Sequence, residues 1–190
     1  HSVFKSDVFS IQDNEFGYKN ICPRLIFSKF EGQIDTGKMM LGLIKKATEK
    51  NILILNNTEI TAISQSTTTP SIQLNQTEEV AARNIFIATN GFAKQFLKED
   101  VLPARAQVLI TKPIKNLKIK GTFHLDKGYY YFRNVDNRIL LGGGRNLDFI
   151  TEETTTKGLT PIVQNRLEEL LSNTILPNTP FEIDSRWSGI

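Results

Sequence analysis

A change in the spacing of apolar runs near residue 100 constrains this chain more than any other feature. On its N-terminal side, Asp35 can cap a helix, and Met39, Met40, Leu43, Ile44 and Ala47 follow at helical intervals. That spacing predicts an amphipathic helix over residues 36–50. The unbroken aliphatic run Ile52-Leu53-Ile54-Leu55 comes next, as in a strand buried on both faces. Residues 60–64 and 71–74 alternate around the polar break Thr67-Thr68-Thr69-Pro70 and read as a hairpin. Residues 82–91 give a second buried strand that closes on Thr89-Asn90-Gly91, with a short helix over 92–98. Beyond Leu102, strands are expected at 104–111, 121–125, 128–134 and 138–143, the close spacing of an antiparallel sheet. Thr160-Pro161 opens a helix with Ile162, Val163, Leu167, Leu170 and Leu171 along one face, and residues 181–187 form a last strand. Residues 1–30 read as irregular or as one or two short elements, and residues 151–156 as a polar surface loop. The expected class is α+β: an antiparallel or mixed sheet with flanking helices, plus a smaller α/β portion.

Composition narrows the function. Hydrophobic residues make up 39% and charged residues 23% of the 190 positions, as in an ordinary globular protein. The net charge of +3 comes from 23 basic and 20 acidic residues with no long block of one sign, which argues against a nucleic-acid or membrane-surface binder. Cys22 is the only cysteine, so a disulfide within the chain and a cysteine-ligated metal centre are ruled out, and His1 and His124 are too few for a histidine-built one. No apolar run reaches the roughly 20 residues of a membrane span. Metal is therefore not expected, nor is a membrane span.

Several phrases could carry chemistry. Gly142-Gly143-Gly144-Arg145 lacks the frame of a phosphate loop and ends a strand, so close backbone approach or a bulge explains it better. In Tyr129-Tyr130-Tyr131-Phe132-Arg133, strand alternation points Tyr129, Tyr131 and Arg133 one way and Tyr130 and Phe132 the other. Two phenols and a guanidinium on one face could bind a carboxylate, although an amphipathic aromatic strand accounts for the same pattern. Arg105, Gln107 and Arg145 are further polar candidates near strand ends. The acidic pairs Glu78-Glu79, Glu152-Glu153 and Glu168-Glu169 read as solvated, and His124 as structural.

Read together, the phrases resemble a known family. Glu31-Gly32-Gln33-Ile34-Asp35 entering a helix, then residues 52–63, Ile85 through Phe92, Leu102 through Val108, Tyr129 through Arg133, Arg138 through Gly143 and Arg186-Trp187-Ser188-Gly189-Ile190 resemble, in order, segments of the FAD-dependent D-amino-acid oxidase superfamily. The resemblance covers roughly residues 30–190. Absent are the GxGxxG that opens the family's FAD domain and the Gly-rich segment after its Trp-x-Gly motif. The resemblance therefore implies an internal fragment of a longer, cytoplasmic flavoenzyme that oxidises the C–N bond of a small amine or amino acid, itself inactive alone. A binding or interaction domain that has kept the scaffold without flavin chemistry is the alternative. The implied organisation is a lead-in over 1–30, partial FAD-domain elements over 31–92 and a substrate-binding domain over 93–190. It places Ile60, Thr89, Asn90 and Gly91 near FAD, and Tyr129 and Tyr131 near the substrate; Arg133 joins them by strand alternation, with pairing to an acid at the sheet edge as its alternative. It assigns no catalytic base. Ala106 stands where relatives usually show Gly, and Thr36 where Pro is common.

Overall fold

The computed structural model describes residues 3–64 and 69–190, so His1 and, within the expected polar turn, Thr67 and Thr68 lie outside the described residues. In chain order the elements are β1 (Phe9–Asp13), β2 (Arg24–Ser28), α1 (Thr36–Glu49), β3 (Ile60–Ser64), β4 (Ser71–Leu74), β5 (Glu78–Ala81), β6 (Ala106–Thr111), β7 (Thr122–Leu125), β8 (Tyr130–Val135), β9 (Arg138–Gly143), α2 (Phe149–Glu152), α3 (Pro161–Leu170) and β10 (Ile183–Gly189). They fall into two compact units, one of residues 1–33 with 103–190 and the other of residues 34–102. The sequence places its divisions at 30/31 and 92/93 instead.

The first unit is built on a five-stranded antiparallel sheet of order β10-β6-β9-β8-β7. Alternation decides its faces. Leu109, Phe132, Ile139 and Leu141 point to one side and are buried against Val163, Leu167, Leu171 and Ile175 of the α3 segment. Each such side chain removed from water contributes about 1.5–3 kcal/mol. Pro161 sits in the first turn of α3, where its missing N–H leaves nothing unpaired. The helix then widens into a π turn over Leu171–Ile175, closed by Leu176 N–H donating to the Leu171 carbonyl at 2.7 Å. The carbonyls of Thr174 and Asn173 are taken up by Lys19 N–H at 3.0 Å and Asn20 Nδ2 at 3.1 Å. The lead-in segment is thus tied to this unit. Phe16 and Tyr18 stack at 5.3 Å and meet Phe123 edge-on, while β1 and β2 pair as a hairpin. Burial holds the Tyr18 phenol far above its ordinary pKa, and its hydroxyl has no hydrogen-bond partner.

The expected surface loop at 151–156 needs correction. Its start is the short helix α2, capped by the Asp148 carboxylate, which accepts from Thr151 N–H at 3.0 Å. Glu152, read from sequence as solvated, is 1% exposed.

In the second unit, Asp35 caps α1 as its position implied, accepting from Lys38 N–H at 2.9 Å. The helix stops at Asn51, whose φ of +56° lets Ile52 N–H return to the Ala47 carbonyl at 3.0 Å. Strands β3, β4 and β5 form a three-stranded antiparallel meander. The two buried strands expected at 52–55 and 82–91 do not form. A strand exists where backbone groups ladder with a neighbour, and among the described residues neither run carries such a ladder. Leu53 is 80% and Phe86 90% exposed, and no residue of α1 is buried.

Candidate functional site

Opposite the helix-covered side, the five-stranded sheet presents an open face. Its rows follow from register: His124, Tyr131, Gly142, Val108 and Trp187 are successive cross-strand partners. The next row is Thr122, Arg133, Leu140, Ile110 and Ser185. Tyr131 and Trp187 stay substantially exposed on this face, whereas Tyr130 and Phe132, one residue either side of Tyr131, are buried. The alternation expected around Tyr131 is therefore present.

Gly142 explains how Tyr131 lies. A Cβ at position 142 would stand 2.6 Å from the Tyr131 hydroxyl, so the phenol leans across the bare backbone of its neighbour strand. Burial raises the Tyr131 pKa above that of an ordinary phenol, which is itself protonated at neutral pH, so the hydroxyl is a hydrogen-bond donor there. Arg133 shares the face, half-buried, two residues further along β8.

Tyr129 departs from the expected arrangement. The strand begins at Tyr130, and Tyr129 has helical φ and ψ of −65° and −23° at the end of a tight turn. Asp126 and Lys127 take left-handed φ of +48° and +57°, followed by Gly128 at +89°. The turn takes Tyr129 out of the Tyr131–Arg133 row and sets its ring 6.3 Å from that of Phe149. The Arg145 guanidinium lies 5.4 Å from the same ring, an exposed cation–π contact of about 0.5–1 kcal/mol. The glycine run serves this junction. Gly143 has φ +117°, a Cβ there would collide with the Tyr129 carbonyl, and Gly144 N–H donates to that carbonyl at 3.0 Å. Close backbone approach is what the glycines allow.

Arg105 and Gln107 serve a different purpose from the one their strand-end positions suggested. Arg105 donates from Nε and Nη2 to the two oxygens of buried Glu152 at 2.8 and 3.0 Å. Gln107 Nε2 and the Thr160 hydroxyl donate to Glu152 Oε1 at 2.8 and 2.9 Å. Gln164 donates to Gln107 Oε1 at 3.1 Å, and Arg186 to Gln164 Oε1 at 2.8 Å and Glu168 Oε1 at 2.7 Å. The network ties β6, β10, α2 and α3 together beneath the open face. Burial opposes the Glu152 charge, but the bonds from Arg105, Gln107 and Thr160 and the Arg105 charge outweigh it and hold the carboxyl below its ordinary pKa. No sequence signal distinguished Glu152 from its exposed neighbour Glu153.

In the second unit, Thr89 precedes a 3₁₀ turn over Asn90–Gln95, and Asn90 takes a left-handed φ of +49°. The Thr89 hydroxyl is buried without a hydrogen-bond partner. Such an orphan in a tight polar turn fits a ligand rich in hydroxyl and phosphate oxygens, as FAD is. Ile60 opens β3 opposite Leu74, next to a register shift in the ladder.

The sequence model of the DAO family, FAD dependent oxidoreductase, matches residues 13–190. The chain belongs to this family, whose cofactor is FAD. Solved structures of similar fold include L-proline dehydrogenase from P. horikoshii, with TM-score 0.71 and 19% identity over 88% of this chain and 46% of that one. Glycine oxidase from Bacillus cereus ATCC 14579 gives TM-score 0.71 and 14% identity over the same shares, 88% and 46%. Iminodiacetate oxidase (IdaA) from Chelativorans sp. BNC1 gives 0.58 and 14% over 80% and 42%. The chain thus spans less than half the length of these proteins. No curated protein matches the sequence. No helix among the described residues is long and apolar enough to cross a membrane.

Proposed function

We propose that this chain works as part of a longer FAD-dependent oxidoreductase that oxidises the C–N bond of a small amine or amino acid to an imine, which water then hydrolyses. Residues 34–102 serve the FAD-binding part, and the five-stranded sheet serves the substrate. The observation that carries the reading is the open sheet face with Tyr131 and Arg133 on it, in a chain of this family. The proteins of similar fold are named for proline, glycine and iminodiacetate, which supports a small amine that carries an acid.

FAD, when bound, supplies the acceptor for the hydride leaving the carbon next to nitrogen. Thr89, Asn90 and Gly91, with the backbone at Ile60, would hold it. The residues of the sheet bind and orient. Tyr131, a donor at neutral pH, hydrogen-bonds one substrate carboxylate oxygen, and Arg133 on the same face adds positive potential. Gly142 leaves the space in which the Tyr131 hydroxyl can meet a ligand. The test is product chemistry: the full-length protein with FAD, given small amino acids and amines, should release the corresponding carbonyl compound and ammonia or amine. No carbonyl product from any acid or amine tried, with FAD bound, would overturn the proposal.

A further inference from the structure

On the helix-covered side of the five-stranded sheet, away from Tyr131, the α3 segment and the lead-in leave a cavity of about 310 Å³. That is the small end of the range for ligand pockets. Its lining includes Tyr130, 2% exposed, and Leu125, the cross-strand partner of Tyr130. Ile21 and Leu170 complete an apolar wall. The polar part of the lining comes from two irregular stretches of backbone. The π turn brings Asn173 and Thr174 to the cavity, with their carbonyls taken up by Asn20 Nδ2 and Lys19 N–H, and such turns are frequent at functional sites. A left-handed φ of +48° ends β7 at Asp126, which also lines the cavity. The ionic side chains among the lining residues are Asp126, Arg166 and Glu169. Arg166 and Glu169 pair with each other at 3.3 Å, and the guanidinium lies 6.0 Å from the Tyr130 ring. Asp126 has no cationic partner among the described residues. The cavity therefore keeps one uncompensated negative charge.

We infer that this cavity binds a small aliphatic ammonium ion, with Asp126 as its counter-ion. An ammonium group carries three donors and no acceptor, so it needs a lining rich in acceptors. Asp126 supplies a charge-assisted one. The amide oxygen of Asn20, whose Nδ2 is held by the Asn173 carbonyl, supplies another. The alkyl part of the ligand packs against Ile21, Leu125 and Leu170. A carboxylate ligand would meet repulsion from Asp126 and find Arg166 already paired. The site lies behind the sheet from the proposed substrate face, and it stands whether or not the protein oxidises amines.

The probe is butylammonium chloride, titrated by NMR into the full-length protein carrying ¹³C-labelled isoleucine and leucine methyl groups. The methyls of Ile21, Leu125 and Leu170 should shift saturably. Butanol, of the same length without the charge, should bind there roughly tenfold or more weakly, and butyrate more weakly still, as expected when a charge-assisted pair is lost or reversed. Asp126→Asn removes the charge with a residue that tolerates left-handed φ, and should weaken butylammonium binding by a similar factor. Asp136→Asn, at another left-handed position of the same unit, φ +50°, should leave it within about twofold, the scale of an exposed charge. Methyls that do not shift, butanol or butyrate binding as tightly as butylammonium, or equal losses in Asp126→Asn and Asp136→Asn would overturn the site.

Discussion

At the scale of single residues, Tyr131, Glu152, Gly142 and Gly143 carry the account. Tyr131 leans over Gly142, and burial raises the pKa of its phenol. Tyr131→Phe in the full-length enzyme should raise KM by roughly five- to a hundredfold, the equivalent of about 1–3 kcal/mol for a hydrogen bond to a charged group. Steady-state kinetics with a carboxylate-bearing substrate checks this, and unchanged KM in both Tyr131→Phe and Tyr129→Phe would leave the strand with a packing role only. Gly143→Ala meets both a positive φ and the Tyr129 carbonyl, so chemical denaturation should show a loss of roughly 1–3 kcal/mol or more. Glu152→Ala leaves Arg105 buried without its partner and should cost about 3–5 kcal/mol. The sign with pH follows from the lowered Glu152 pKa. The unfolded carboxyl titrates near about 4.3, so the stability Glu152 contributes is fully present above that pH and is lost as pH falls through the lower folded value. Glu152→Gln should remove this part of the acid dependence in denaturation midpoints measured from pH 6 downwards.

At the scale of elements, local spacing was a good guide wherever an element carried its own partners. The helix at 36–50 and the strand at 138–143 were placed within a residue of α1 and β9, because a cap or an alternating run is a local signal. The meander was seen as two strands, and β5 went unread since Glu78-Glu79 mask its alternation. Runs 52–55 and 82–91 had the composition of buried strands but need a ladder that the described residues do not provide. Composition records what a segment could pair with, whereas structure records what lies beside it. Of the proposed site, the Tyr131–Arg133 alternation could be read from sequence. The Tyr129 turn could not, because left-handed Asp126 and Lys127 carry no distinctive sequence mark. Nor could the Arg105–Glu152 pair, whose partners are 47 residues apart in the chain. Amide hydrogen exchange on this chain should show residues 52–55 exchanging at loop-like rates, and β6, β8 and β9 far more slowly. Equal protection of both sets would contradict the absence of pairing at 52–55.

At the scale of the whole molecule, the chain forms two compact units. One offers a sheet face and the other the Thr89 turn, and the family fixes FAD as the cofactor class. We propose that this chain alone binds FAD weakly and turns over nothing. Thr89, Asn90, Gly91 and Ile60 can meet part of the dinucleotide, but the described residues contain no glycine-rich strand-to-helix turn of the kind that cradles a pyrophosphate. Calorimetric titration with FAD should therefore give a dissociation constant orders of magnitude weaker for this chain than for the full-length protein. The most direct test of the central claim is to add glycine, proline and other small amino acids, without oxygen, to the FAD-loaded full-length protein and follow the flavin absorbance. The account predicts that at least one of them bleaches the oxidised flavin and that Tyr131→Phe slows the bleaching at low substrate concentration. A full-length protein that purifies colourless and cannot be reconstituted with FAD, or whose bound flavin no amine reduces, would contradict it.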